Sequence, residues 1–370
     1  MKFGLFYEWP NPSAGNWKRL FEEGLEQIQY AEEVGFDFVL VAEHHFSNYG
    51  MSPAPLLQSL AIAQRTKRIR IGTAVIVLPL WQPLRLAEEI AVLDNLSDGR
   101  FIAGIGRGYQ PHEFARFGVT PEDSRQRFNE CLDVLIKAWT SDTSFTYDGE
   151  YIKVPHDTVV WPKPQQKPYP PIWVAGTSPD TLKLSAEMDF APIVSGFNGS
   201  DAVRDAVAGL LQFKQAAGKP VDSWDMGVQT FCCVCDTNEE ARAQVNYPRW
   251  QNRAGRALNS RAVVDGRVQV KPYDGEPSDD ALWDRLLYGD PERVIAKYKV
   301  LAEAGATFAS CWMMAGGMEH EKIMRTIRLM GEHVLPAVAG VRPAGNLSEN
   351  LLRAGIPTNA FQARGQAPSE

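Results

Sequence analysis

Cysteine is scarce, with five in 370 residues. So few thiols, without paired spacings, exclude a disulfide framework. Cys232, Cys233 and Cys235 share one short apolar run with no second ligand cluster beside it. Cys131 and Cys311 lie in other apolar segments. All five read as buried thiols acting as small hydrophobes, with no metal site. No apolar run reaches the ~18 residues of a membrane span, so no membrane contact is expected. A signal-peptide core is also missing, because Glu8 interrupts the apolar start Phe3–Tyr7. Basic excess is absent: 38 Lys and Arg against 45 Asp and Glu leave a net charge of −7. That balance argues against a nucleic-acid partner. Four reaction signatures are missing as well: GxGxxG after the first strand, GxSxG, HExxH and a P-loop lysine. The expectation is a reduced, cytoplasmic protein that handles small molecules.

A composition of 44% hydrophobic and 22% charged residues is globular. The length allows two domains or one large barrel with insertions. Two periods alternate along the chain. Lys2–Tyr7 reads as a buried strand, and Trp17, Leu20, Phe21, Leu25, Ile28 and Ala31 follow at helical spacing until Gly35. Further strands are expected at Phe38–Val41, Ile69–Leu78, Phe101–Ile105, Ile172–Val174, Ala191–Val194, Met226–Val234 and Phe308–Trp312. Helices are expected near Pro55–Arg65, Pro83–Leu96, Phe128–Trp139, Asp180–Glu187, Ala202–Ala217, Glu239–Leu258, Pro291–Ala304 and Glu321–Val334. This cadence builds βαβ units and a parallel sheet. Eight repeats close more naturally than they stay open, so the fold class is α/β, a (β/α)8 TIM barrel with insertions and an extended C-terminal tail. A doubly wound sheet is the alternative. The barrel domain is expected over 1–340. Residues 341–370 read as a tail, disordered or packed on a neighbour. Asp142–Pro171 reads as an insertion with a hairpin around Asp148-Gly149, and Arg261–Asp284 as a polar, mobile loop.

In such barrels the active site forms at the C-terminal ends of the strands. That rule selects Glu43-His44-His45-Phe46 after the second strand. Four readings compete for the histidines: a metal site, general acid/base work, a structural polar pair, or hydrogen bonding to a ligand. Neighbours on a strand face opposite ways, which disfavours both binding one ion. Imidazole titrates near neutrality, which favours acid/base work. Arg107 lies between Gly106 and Gly108, where backbone can approach a ligand closely and a guanidinium suits a phosphate. Gly176-Thr177-Ser178-Pro179 reads as a glycine turn and a capped helix start, whose free N–H groups favour an anion. Glu8 and Glu43 can be drawn as an acidic pair for glycoside hydrolysis, but such pairs arise by chance in any barrel. Trp9, Phe46, Trp81, Tyr109 and Phe197 are candidates for an aromatic substrate pocket, with core packing as the competing role.

Several segments resemble the bacterial luciferase-like flavin monooxygenases, and the luciferase α chain in particular. They are Glu43–Phe46, Gly72–Pro79, Asp94–Phe101, Gly104–Tyr109 and Pro171–Gly176. The resemblance runs from Met1 to about Pro336. It implies a barrel that uses FMN as FMNH₂ together with O₂, which adds at the flavin C4a carbon to give a (hydro)peroxide that oxygenates a small, fairly apolar organic substrate. It also implies a separate NAD(P)H:flavin reductase and a homodimer. By position, His44 matches the family's catalytic histidine. Arg107, Gly176, Thr177 and Ser178 match its FMN-phosphate site. Ala74 and Val75 match a non-prolyl cis peptide beneath the flavin ring. Gly106 stands where the luciferase α chain has a reactive cysteine, which makes light emission a less suitable role and leaves oxygenation intact. Gly176 replaces an acid, which favours an anion. A deazaflavin F420-dependent oxidoreductase and a non-catalytic flavin-binding barrel are the alternatives.

Overall fold

The strand segments are buried along most of their length rather than alternating, as required where helices cover one face and packed side chains fill the other. All four residues of Phe38–Val41 are buried. The computed structural model describes residues 1–341 and 354–355. Eight parallel strands close into a barrel: β1 (Lys2–Tyr7), β2 (Phe38–Val41), β3 (Arg70–Thr73), β4 (Phe101–Gly106), β5 (Ile172–Ala175), β6 (Ala191–Ser195), β7 (Gly227–Val234) and β8 (Phe308–Trp312). Each strand pairs with the next in the chain, and β8 returns to β1 with Phe308 opposite Lys2. The (β/α)8 architecture is therefore the one adopted.

The barrel interior holds Phe6, Phe38, Leu40, Ile102, Ile193 and Phe308. Trp173 stacks on Phe308 with ring centroids 4.2 Å apart. A Cβ at Gly4 would stand 2.1 Å from the Phe38 ring, so β1 carries a glycine where that ring enters. Outside, the Trp17–Val34 helix buries Leu25, Ile28 and Ala31 against the strands. Asn16 caps it by accepting from the Arg19 N–H, and Gly35 ends it at φ 103°.

Four segments depart from the sequence expectation. The Ile69–Leu78 strand is interrupted: β3 ends at Thr73, the Ala74–Val75 peptide is cis, and pairing resumes only at Ile76–Val77. A Cβ on Gly104 would fall 1.6 Å from Thr73 O, so the chain presses onto β4 here and then turns away. The helix expected over Glu239–Leu258 is two, Asn238–Arg242 and Asn246–Asn259. Pro248 cannot continue a helix from the preceding turn but is tolerated in a first turn. The last helix runs His320–Leu329 and widens into a π turn at Met330–Val334, just before Pro336. Arg261–Asp284 contains a small hairpin, Val263–Val264 with Arg267–Val268, turned by Asp265-Gly266, both at positive φ. The insertion hairpin forms as expected, Phe145–Asp148 with Lys153–Thr158. Apart from Val341, Ala354 and Gly355, the tail lies outside the described residues. Among those residues, no helix is long and apolar enough to cross a membrane.

Candidate active site

At the C-terminal mouth of the barrel is a cavity of about 380 Å³. Successive side chains alternate there as on a strand. Phe6 and Glu8 face the cavity, whereas Tyr7 and Trp9 face the Trp17–Val34 helix, where Tyr7 donates to Gln27 at 2.9 Å. The same alternation separates the two histidines. His44 lines the cavity, and His45 turns back to meet Glu43 at 2.9 Å.

His44 is nearly enclosed. Its Nδ1 lies 3.1 Å from Glu113 Oε1, and its Nε2 faces Glu8 Oε2 at 3.7 Å. The Tyr49 ring meets it edge-on with centroids 4.8 Å apart. Glu113 Oε1 also accepts the His45 backbone N–H at 2.9 Å. Burial alone would push the Glu113 carboxyl up, but the His44 hydrogen bond, the His44 charge and the His45 N–H together hold it below the usual range. An ionised Glu113 accepts, so it selects the tautomer with hydrogen on Nδ1 and leaves Nε2 toward the cavity. Glu8 goes the other way: burial holds its carboxyl well above the usual range.

Glu43 works through the backbone. Its Oε2 accepts the Val77 N–H at 2.7 Å, and its carboxylate also takes the Trp81 indole N–H at 3.0 Å. That fixes the chain just beyond the cis Ala74–Val75 peptide, and both residues of that peptide line the cavity. A Cβ on Gly106 would lie 2.6 Å from Val75 Cγ2, so glycine is the residue that lets Val75 settle over β4.

The far end of the cavity is open and cationic. Arg107 is exposed and pairs with no carboxylate among the described residues. Ser178 caps the Pro179–Met188 helix, accepting from Thr181 N–H at 3.3 Å. The Gly176 N–H is taken by Ile193 O, whereas the Thr177 and Ser178 N–H groups have no partner among the described residues. Gly176, at φ 107°, makes the turn that precedes them, and Gly176 and Ser178 line the cavity. Together they form a cradle suited to a phosphate.

Of the expected aromatic pocket, only Tyr109 lines this cavity. Trp9 is fully buried under Phe21 on the outward side of β1. Phe46 is 48% exposed on the rim beside Phe117. Trp81 is held away by Glu43. Phe197 borders a separate cavity of about 560 Å³ between the Gly199–Ala216 and Pro291–Glu303 helices. Aromatic content marked these residues, and the direction each side chain takes from its strand end decided otherwise. The cavity instead uses Phe6, Tyr49 and Trp312.

Two functional groups escape a reading from sequence alone. Glu113 sits on a short helix, Pro111–Phe117, that folds back over His44. Pro111 at a first helical position signals the helix but not its destination. Arg125 lines the cationic end from the first turn of the Ser124–Thr140 helix, 4.0 Å from an exposed Asp180. A cation in a helix's first turn opposes the macrodipole, and that mismatch is the available signal of an anionic partner.

The comparisons with known proteins follow this geometry. The luciferase-like monooxygenase family model matches residues 1–307. The chain is 27% identical to the oxygenase component of the flavin-dependent trigonelline monooxygenase of Acinetobacter baylyi, over 91% of this chain and 95% of that protein. Among solved structures it is similar to the monooxygenase RslO1 from Streptomyces bottropensis, with a TM-score of 0.80 and 29% identity over 91% of this chain and 99% of that one. An F420-dependent secondary alcohol dehydrogenase shares the fold, with a TM-score of 0.69 and 20% identity over 91% of this chain and 98% of that one. The chain belongs to the luciferase-like monooxygenase family.

Proposed function

We propose that this enzyme is the oxygenase component of a two-component monooxygenase. It takes reduced FMN from a separate NAD(P)H:flavin reductase and uses O₂ to oxygenate a small, fairly apolar organic substrate. One observation carries the reading. A single barrel mouth joins an open arginine and helix-start cradle to an enclosed His44–Glu113 pair, with the Ala74–Val75 peptide between them. Arg107, Arg125, Thr177 and Ser178 would hold the phosphate. Ala74 and Val75 would support the flavin ring. Bound reduced flavin supplies the two electrons and the site at which O₂ is activated. The protein's own work is to exclude water, orient the substrate and move a proton at His44 Nε2. The relative from Acinetobacter baylyi, a flavin-dependent oxygenase component, supports the same assignment. The lack of a GxGxxG fingerprint supports an external source of electrons.

The test combines the protein with a flavin reductase, NADH, FMN and O₂ over a panel of organic substrates, read by mass spectrometry. A product heavier by one oxygen atom is expected. Without the reductase, NADH oxidation should be slow, and rapid oxidation would contradict the two-component reading. Substrate turnover with F420 and no O₂ uptake would replace it with the deazaflavin oxidoreductase.

A further inference from the structure

Among the described residues that line this cavity, Glu8 is the one carboxyl that the proposed chemistry leaves unused. It follows the last residue of β1 and is 1% exposed. Its Oε1 accepts from the Gln251 side-chain amide. That amide is held in one orientation, because Gln251 Oε1 accepts the Gly316 N–H at 2.9 Å. Glu8 is thus anchored from the Asn246–Asn259 helix and, through it, from the turn after β8. Its Oε2 accepts no hydrogen bond from the described residues and stands 3.7 Å from His44 Nε2. On the opposite edge of the same imidazole, Glu113 holds Nδ1. Gly50 closes the wall behind them: a Cβ there would lie 3.0 Å from Glu8 O and 3.3 Å from His44 Cδ2. Glu8 lines the cavity, so its second oxygen is free of the protein's donors where it faces the imidazole.

We propose that Glu8 is a second proton-handling residue of this reaction, exchanging a proton with His44 Nε2 while Glu113 holds the Nδ1–H. The inference rests on the reading of His44 as acid/base. The step balances as a proton transfer without oxidant or reductant. The Glu8 O–H bond breaks, its electron pair stays on the carboxylate, and the proton forms an N–H bond at Nε2. The imidazolium then passes that proton to an oxygen atom of the substrate, and a proton from solvent restores the acid. A small rotation or one bridging water spans the 3.7 Å gap. Burial holds the Glu8 carboxyl well above the usual range and so favours its acid form, the Gln251 bond pulls against it, and the Glu113 charge adds to it. The titratable groups around Glu8 are His44, Glu113, Tyr49 and Tyr109. Because the acid form is the donor, turnover should fall as pH rises through the raised Glu8 value.

The experiment pairs Glu8→Gln, which keeps the shape, with ¹⁵N NMR of the histidine rings in the flavin-free protein. In wild type the His44 Nε2 signal should register a second protonation step above the ordinary carboxylate range. Glu8→Gln should erase that step and leave the Nδ1–H signal in place. In the reconstituted system kcat should drop about 100-fold, the alkaline limb should vanish, and KM should change less than about twofold. If Glu8→Gln fails to fold, Gln251→Leu serves instead. It removes the donor that pulls Glu8 down and should move the alkaline limb to higher pH. Unchanged His44 signals and an unchanged pH profile in the folded variant overturn the role given to Glu8. Wild-type product yield in His44→Ala overturns the underlying reading instead, so the two failures are distinguishable.

Discussion

The two ends of the cavity are built on opposite plans. At the His44 end most of the ionisable side chains are held by neighbours: Glu113 holds His44 and the His45 N–H, Gln251 holds one oxygen of Glu8, and Glu43 holds Val77, Trp81 and His45. At the Arg107 end most donors lack a partner among the described residues. Among the described residues Arg107 is exposed with no carboxylate partner, Arg125 has only an exposed Asp180 at 4.0 Å, and the Thr177 and Ser178 N–H groups have no acceptor. A site that moves a proton needs its tautomer and geometry fixed before anything binds, and buried hydrogen bonds do that. A site that binds an anion gains most from donors that give up only water on binding. The first end is therefore finished by folding, and the second is finished by its ligand.

Four changes would break or sharpen that contrast. The largest effect is expected for His44→Ala. Product formation should fall by about 10²–10⁴, while O₂ uptake continues and yields H₂O₂. The fold and flavin binding should remain. Product yield and H₂O₂ measured on the same sample decide this, and a wild-type yield makes the histidine structural.

Next is Arg107→Ala at the open end. A charge-assisted contact contributes roughly 1.5–3 kcal/mol, so FMN binding should weaken about 10- to 100-fold. Riboflavin, which lacks the phosphate, should bind poorly to wild type and barely notice the change. Titrations with both ligands make the comparison, and equal losses for the two would remove the phosphate assignment. Stability should hardly change, because Arg107 has no partner among the described residues to lose.

The third change tests whether the enclosed end carries folding free energy. Glu113 is held below the ordinary carboxylate range in the fold, through His44 and the His45 N–H. A depressed carboxyl contributes stability that is present above its unfolded value and lost as pH falls through its folded value. Glu113→Gln should therefore lower Tm at neutral pH, and the loss should shrink in acid. Thermal unfolding across that range reads it directly. A loss independent of pH would mean that Glu113 acts through packing and not through charge.

The smallest effect is expected for Trp81→Phe, which removes one hydrogen bond to Glu43 and keeps most of the ring. About 1 kcal/mol of stability should go, with flavin affinity nearly unchanged, because the Val77 N–H still anchors the chain after Val75. A large fall in flavin affinity would show that Glu43 needs both donors to hold the Ala74–Val75 segment.

What the sequence determined by itself is local and periodic. Largely apolar strands at a regular cadence, with helices between them, specify a parallel barrel. The strand-end rule then puts His44, Arg107 and Gly176–Ser178 at one mouth. The break in Ile69–Leu78 is not visible in its β-branched run, because Gly104 and Glu43, which shape it, come from β4 and from the segment after β2. The pocket aromatics misled for a related reason. Trp9 and Phe6 are equally apolar in the sequence, and only the inward or outward turn of β1 separates the cavity lining from the outer core. Glu113 and Gln251 lie 69 residues from His44 and 243 residues from Glu8 along the chain. No spacing rule links positions so far apart. Only packing of the Pro111–Phe117 and Asn246–Asn259 helices over the mouth sets one carboxyl on each side of the imidazole. Burial and partners, which exist only in the folded chain, then drive those two carboxyls in opposite directions.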